Sequence, residues 1–262
     1  MVLRVLSAIW ALLTPIGHPS QQAAASPSYG ERVVRSMHDR FAGKWYKTLT
    51  FRQRTTRHGR TPGTPPRVET WYEAASFPGK LRIDIAPLDS MTAFLYVGDS
   101  SVVFRHGQRA SAQKDRNLLI TLGFDVYTQD AGVTIAQLQE AGIDLSKGHE
   151  DVWRGKPVIV VGAVAGDTSA SQFWIEKDRE LFVRLIEVRP ESKPGEPPVV
   201  FDSEFAQYRP AGTGWVAAEC VIKADGKVIQ QEEYSDIRTD VRLDPALFDT
   251  RTYRRARWIG RS

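Results

Sequence analysis

Residues able to do covalent chemistry are few in this sequence and poorly grouped. Gly98-Asp99-Ser100-Ser101 has the order of an esterase nucleophile string, but a serine hydrolase needs a base to take the serine proton. Enzymes with that string carry the histidine near the C-terminus, and the last histidine here is His149. The string therefore reads as a polar turn between Leu95-Tyr96-Val97 and Val102-Val103-Phe104. No Gly-x-Ser-x-Gly elbow is present. His149-Glu150-Asp151 offers imidazole and carboxylates, which suit several divalent ions. Three consecutive strand residues cannot all face one ion, because side chains alternate, and His38, His58 and His106 show no ligand spacing. Carboxylates are scattered, and neither a phosphate-cradling glycine loop nor a dinucleotide fingerprint occurs. The expectation is a non-enzyme with no catalytic residues, no metal and no cofactor.

The N-terminal residues address the compartment. Met1 to Arg4 form a short basic start, Val5 to Ile16 is an apolar run broken only by Ser7, Thr14 and Pro15, and Ala23-Ala24-Ala25 supplies a cleavage point. This layout is that of a secretory signal peptide over residues 1–25, which leaves one domain over 26–262 and predicts a periplasmic product. The apolar run is shorter than the roughly 20 residues that span a bilayer, and no other stretch is longer, so no transmembrane segment is expected in the mature chain. No Cys follows the run, so no lipid anchor is expected either. Cys220 is the only cysteine, which rules out an intramolecular disulfide and leaves stability to the core.

Lys and Arg number 35 against 31 Asp and Glu, and they are interleaved along the chain. That pattern lacks the basic stripe of a nucleic-acid partner. Only the last residues, about 250–262 with Arg251, Arg254, Arg255, Arg257 and Arg261, form a basic tail, expected as a solvated end.

The elements that must position any site begin with a helix. Val33, Val34, Met37 and Phe41 recur at helical spacing in Arg32 to Phe41. From Lys44 the period changes to two. Lys80-Leu81-Arg82-Ile83-Asp84-Ile85 alternates charged and aliphatic residues without exception, which predicts a strand with one wet face and Leu81, Ile83 and Ile85 pointing inward. Further strands are expected at 45–55, 67–75, 91–97, 101–106, 157–164, 171–176, 181–189, 198–207, 214–224 and 227–237. Asp225-Gly226 is a tight-hairpin turn whose register sets Ile222 opposite Ile229. The Pro-rich stretches 61–66 and 190–198 read as long hairpin loops. Many short strands at close spacing predict an antiparallel sandwich or barrel.

Residues 115–142 interrupt the strands. Asp115 can cap a helix from Arg116 to Phe124 in which Leu118, Leu119, Ile120, Leu122 and Phe124 leave almost no solvated side. A second helix carries Thr134 and Gln137 as a capping box, Val133 and Leu138 as a staple, and Gly142 as a stop. Such an insertion can close over one face of a curved sheet, either as a lid shared with a ligand or as a permanent plug.

Several strings in order resemble the periplasmic lipoprotein-carrier family of LolA/LolB-like proteins and the wider set of outer-membrane lipoprotein-sorting homologues. They are Phe51-Arg52-Gln53, Trp71-Tyr72-Glu73, Pro78-Gly79-Lys80 running into Asp84, Gly155-Lys156-Pro157-Val158, Phe173-Trp174-Ile175-Glu176, Tyr234-Ser235-Asp236-Ile237 and Leu243-Asp244-Pro245-Ala246-Leu247-Phe248. The resemblance implies a mainly β fold: a strongly curved antiparallel sheet, an unclosed half-barrel, with an N-terminal helix and a mid-chain helical lid or plug over its concave face. It implies an apolar ligand, lipid or lipoprotein acyl chains, carried on that face without chemistry. The expected lining is Trp71, Leu81, Ile83, Ile85, Phe94, Phe104 and Trp174, with Leu118, Leu119, Leu122 and Phe124 as the lid. Two other readings stay open. A sensor of envelope lipids or lipoproteins would act through an envelope protein partner. Phe41-Ala42-Gly43-Lys44-Trp45-Tyr46 resembles the Gly-x-Trp opening of the lipocalins, closed eight-stranded barrels that hold small hydrophobic ligands.

Overall fold

The computed structural model describes residues 26–59, 63–190, 195 and 197–259. The expected signal peptide, 1–25, lies outside the described residues. The chain opens with helix α1 (Tyr29–Phe41). Ser28 caps it, its hydroxyl accepting from the Glu31 amide while the Glu31 carboxylate accepts from the Ser28 amide at 2.7 Å. This capping box sets the start three residues before the apolar spacing does. The apolar face is the expected one, with Val33, Val34, Met37 and Phe41 all buried.

Six strands follow, each joined to the next by a hairpin: β1 (Thr48–Arg57), β2 (Arg67–Ser76), β3 (Lys80–Ile85), β4 (Thr92–Val97), β5 (Ser100–Arg105) and β6 (Gln108–Lys114). Gly98-Asp99 is the two-residue turn between β4 and β5. After the helical interruption come β7 (Gly148–Trp153), β8 (Lys156–Val161), β9 (Gln172–Glu176), β10 (Leu181–Arg189), β11 (Val199–Ala206), the short pair β12 (Arg209–Ala211) and β13 (Gly214–Val216), then β14 (Glu219–Ala224) and β15 (Lys227–Thr239). Thirteen of these form one sheet in the order β6-β5-β4-β3-β2-β1-β15-β14-β11-β10-β9-β8-β7. Every ladder is antiparallel and β6 and β7 stay unpaired at the two edges, so the sheet does not close. That excludes the lipocalin-type closed barrel.

The topology explains the interruption. The chain leaves the sheet at one edge after β6 and re-enters at the opposite edge with β7. The connection must therefore cross a face, and it does so as α2 (Leu118–Gly123), a 3-10 turn (Asp125–Tyr127) and α3 (Ala131–Glu140). We call the helix-covered face the inner face. The main core lies there, where α1 and α3 meet Leu49, Phe173, Ile175, Leu181 and Leu185.

Local details differ from the sequence reading. Helix α2 begins at Leu118 and is capped by Asn117, whose side chain accepts from the Leu119 amide, in place of Asp115. Helix α3 begins four residues early because Asp130, not Thr134, caps it, and Val133 is exposed, so no staple forms. Gly142 terminates it as expected, with φ +81. In the β14–β15 hairpin, Asp225 and Gly226 both take positive φ, but a bulge after Ile222 sets that residue opposite Gln230, not Ile229.

The larger correction concerns β3. Its presumed wet face is covered: Arg82 and Asp84 are each 1% exposed. The cover is the C-terminal segment, where Leu247 and Phe248 are buried in a 3-10 turn (Pro245–Phe248) and Tyr253 packs on Ala93, Leu95, Val102 and Phe104. As far as Ile259, the basic tail is therefore laid against the outer face of the sheet and is not a free end.

Candidate functional site

Strand parity decides which side chains reach the inner face. In the ladder β2–β3, Trp71 sits opposite Ile85, Glu73 opposite Ile83 and Ala75 opposite Leu81. Across β3–β4, Ile83 meets Phe94 and Leu81 meets Tyr96. Trp71, Leu81, Ile83, Ile85 and Phe94 therefore share one side, and Leu49 and Phe51 of β1 join them there. Phe104 does not, because it is paired with Ala93 and packs with Leu95 and Val102 under Tyr253 on the outer face. Trp174 is also turned outward. Its neighbours Phe173 and Ile175 enter the inner core, while Trp174 packs with Val158, Val160 and Val183 beneath the Arg184 guanidinium, 4.5 Å away. On β5 and β9 both faces are covered, so aromatic character alone could not assign a side.

Between the inner face and α2 lies a cavity of about 110 Å³. Its floor is Leu49, Phe51 and Gln53 of β1, Trp71, Glu73 and Ala75 of β2, Leu81 and Ile83 of β3, and Glu232 and Tyr234 of β15. Its roof is Leu119, Ile120, Gly123 and Phe124, with Phe77 beside them. Ile85 and Phe94 share the face but do not line the cavity.

The expected lid residues divide by the side on which they project. Leu118 and Leu122 are buried in the main core, whereas Leu119 and Phe124 are half-buried over the cavity. The ring of Phe124 stacks on Phe77 with centroids 4.7 Å apart and planes within 8°. Two polar anchors hold this roof. Asp125 accepts from the Gly79 amide at 2.9 Å, tying the segment to the β2–β3 turn. Tyr127 accepts from the Phe182 amide at 3.0 Å and donates to the Glu180 carbonyl at 3.3 Å, tying it to β10. Burial raises the Asp125 carboxyl to a pKa of about 6 against the pull of the Gly79 hydrogen bond.

The sequence reading missed the polar part of the floor. Glu232 accepts from Gln230 and from the Tyr234 hydroxyl. Burial is the main cause that raises its pKa, and those hydrogen bonds oppose it. Glu73 is 5% exposed, and neither a hydrogen bond nor an ion pair reaches it among the described residues. Burial first, and the charge of Glu232 second, push its carboxyl well above the usual range. The signal was available, since Glu73 lies two residues from Trp71 on one strand and must share its face.

The outer face carries a wider and more polar hollow of about 1000 Å³ between β1, β2 and the C-terminal segment, with Arg52, Tyr72, Arg242, Arg254, Arg255 and Trp258 on its walls. The His149-Glu150-Asp151 string gathers no site: His149 turns Nδ1 to the Ala163 carbonyl at 3.2 Å, and among the described residues the carboxylate near its Nε2 is that of Asp151, at 3.9 Å. No group of metal-ligating residues occurs among the described residues. No helix among them is long and apolar enough to cross a membrane.

The open antiparallel sheet with an N-terminal helix and a helical crossover on its inner face is a fold shared with solved structures. A domain named for outer membrane lipoprotein sorting, from Vibrio parahaemolyticus, superposes with a TM-score of 0.55 at 12% identity, over 84% of this chain and 96% of that one. A DUF1329 family protein from Desulfovibrio piger gives 0.54 at 14% identity, over 84% and 95%. A LolA superfamily protein from Nitrosomonas europaea gives 0.47 at 13%, over 86% and 98%. No family model matches the chain, and no curated protein matches it.

Proposed function

We propose that this protein is an exported, non-enzymatic binder or carrier of an apolar ligand, lipid or lipoprotein acyl chains, which it holds in the periplasm between the inner face of the sheet and α2. The observation that carries this reading is the cavity itself: apolar side chains of three adjacent strands meet an apolar roof where the chain crosses the sheet.

The volume says how the ligand enters. Apolar cavities of roughly 150 Å³ take a molecule the size of benzene, and ligand pockets run from about 300 to 1,000 Å³. At about 110 Å³ the cavity is a foothold for an acyl chain, not a container for one. Binding therefore requires Leu119 and Phe124 to lift away, and the half-exposed stack of Phe124 on Phe77 is the contact that opens.

Native mass spectrometry of protein purified without detergent, alongside titration with a fluorescent fatty-acid probe, tests the proposal. A co-purifying mass of lipid size or saturable probe binding supports it. A bare polypeptide mass together with no probe binding sinks it.

A further inference from the structure

Glu73 is the one side chain of the cavity that its surroundings do not explain. Buried polar groups in folded proteins are almost always hydrogen-bonded, and a carboxyl without partners costs free energy. Glu73 is buried to 95%, lines the cavity, and has no partner among the described residues. No basic side chain offsets it: the charge that acts on it is that of a second acid, Glu232. The titratable hydroxyls near it, Tyr96 of β4 and Tyr234 of β15, add no positive charge.

Two other acids show what a satisfied carboxylate looks like in this sheet. Glu232 has Gln230 and Tyr234 as donors, and Glu69 holds Trp71 Nε1 at 3.0 Å and Arg67 at 2.9 Å. Glu73 alone is left facing space that a ligand would fill. An apolar wall on one side and two acids without a basic partner on the other define an amphiphile; burial holds both acids toward their protonated forms, and the polar end that favours their ionised forms is a cation with N–H donors.

We propose that the cavity selects an amphiphile with an amine head, its ammonium hydrogen-bonded to Glu73 within the field of Glu232 and its chain lying along Leu81 and Ile83 under Leu119 and Phe124. The proposal rests on the apolar-ligand reading and adds the head-group chemistry to it. A carboxylate or phosphate end would oppose ionisation of both acids and bring no cation to pair with them, and a hydroxyl end would not favour the ionised form of either as a cation does.

Three probes of equal chain length separate the possibilities: dodecylamine, dodecanol and dodecanoate, titrated by calorimetry below their micellar concentrations. The intact protein should bind dodecylamine at least tenfold more tightly than dodecanol, and dodecanoate weakest. Glu73→Gln keeps the shape and removes the charge, and because Glu73 has no partner to lose, the variant should melt no lower than the parent. It should bring dodecylamine to within about threefold of dodecanol while leaving dodecanol unchanged. Glu232→Gln should reduce the amine preference part of the way and guards against a Glu73 variant that misfolds. Equal affinity for amine and alcohol, preference for dodecanoate, or an amine preference that survives Glu73→Gln overturns the proposal and leaves apolar binding intact. If none of the three binds, the apolar-ligand reading falls with it.

Discussion

The guanidinium of Arg82 and the carboxylate of Asp84 meet as a two-pronged ion pair, 2.7 Å at each contact, sealed on the outer face of β3. The two residues lie two apart and therefore on the same side of one strand. Arg82 spends its remaining donors on the carbonyls of Leu247, at 3.0 Å, and Arg254, at 2.5 Å, and its guanidinium carbon lies 5.1 Å from the centre of the Tyr253 ring. One buried cation thus fastens the C-terminal segment to the back of the strand whose other side lines the cavity.

Arg82→Leu should accordingly cost about 3–5 kcal/mol, because it leaves Asp84 buried and uncompensated. The double variant Arg82→Leu/Asp84→Leu should recover much of that loss, since it removes both charges. Denaturant unfolding measures the energies. Limited trypsin digestion should show Arg254, Arg255 and Arg257 cut faster in both variants, as both lose the donors that hold the segment.

Asp125 predicts a pH dependence. Its carboxyl titrates near 6 in the folded chain against an ordinary 3.8. Between those values the folded state holds a proton that the unfolded state has released, so stability falls as pH rises through the window and is flat above it. Asp125→Asn keeps an oxygen for the Gly79 amide and abolishes the titration. The variant should gain up to about 3 kcal/mol over the parent between pH 4 and pH 7.5. A parent–variant difference in melting temperature that does not change with pH would refute the assignment.

How far the sequence reached depended on where each element's neighbours came from. Helix α1 and strands β2, β3 and β10 were readable because one local pattern decides them. Strands β6 and β7 were not, since Gln108–Lys114 is exposed throughout and no residue of Gly148–Trp153 is fully buried, and an edge strand with polar faces has no alternation to read. For β3 the parity was legible and the burial of its charged side was not, because the cover arrives more than a hundred and sixty residues later. Leu81, Ile83 and Ile85 followed from parity; Phe94 has apolar residues on both sides of its strand and is assigned by its pairing with Ile83, and Phe104 and Trp174 likewise lie on strands buried on both sides, where parity carries no sign.

Export is tested by mass. Cleavage after Ala25 should leave Ser26 as the first residue, two before the Ser28 cap of α1. Intact mass spectrometry of the protein recovered from the periplasm checks this, and a product that retains Met1 to Ala25 would contradict it.

The roof offers the sharpest contrast, because two sides of α2 face different surroundings. Leu122 is fully buried in the main core, while Leu119 is half-buried over the cavity. Leu122→Asp places an unpaired charge where no movement of α2 can hydrate it, so it should cost more than about 4 kcal/mol and deplete folded protein. Leu119→Asp can turn its carboxylate to water if the roof lifts, so the loss should stay within about 1–2 kcal/mol. Its closed form would bring a third acid toward Glu73 and Glu232, so the variant should rest open. A fluorescent fatty-acid probe should then bind at least tenfold more weakly and leave faster. Thermal melts and probe titrations on the two variants decide the matter. A folded Leu119→Asp with undiminished probe binding would show that the ligand does not lie under α2, and unfolding of both variants alike would make the segment a fixed plug.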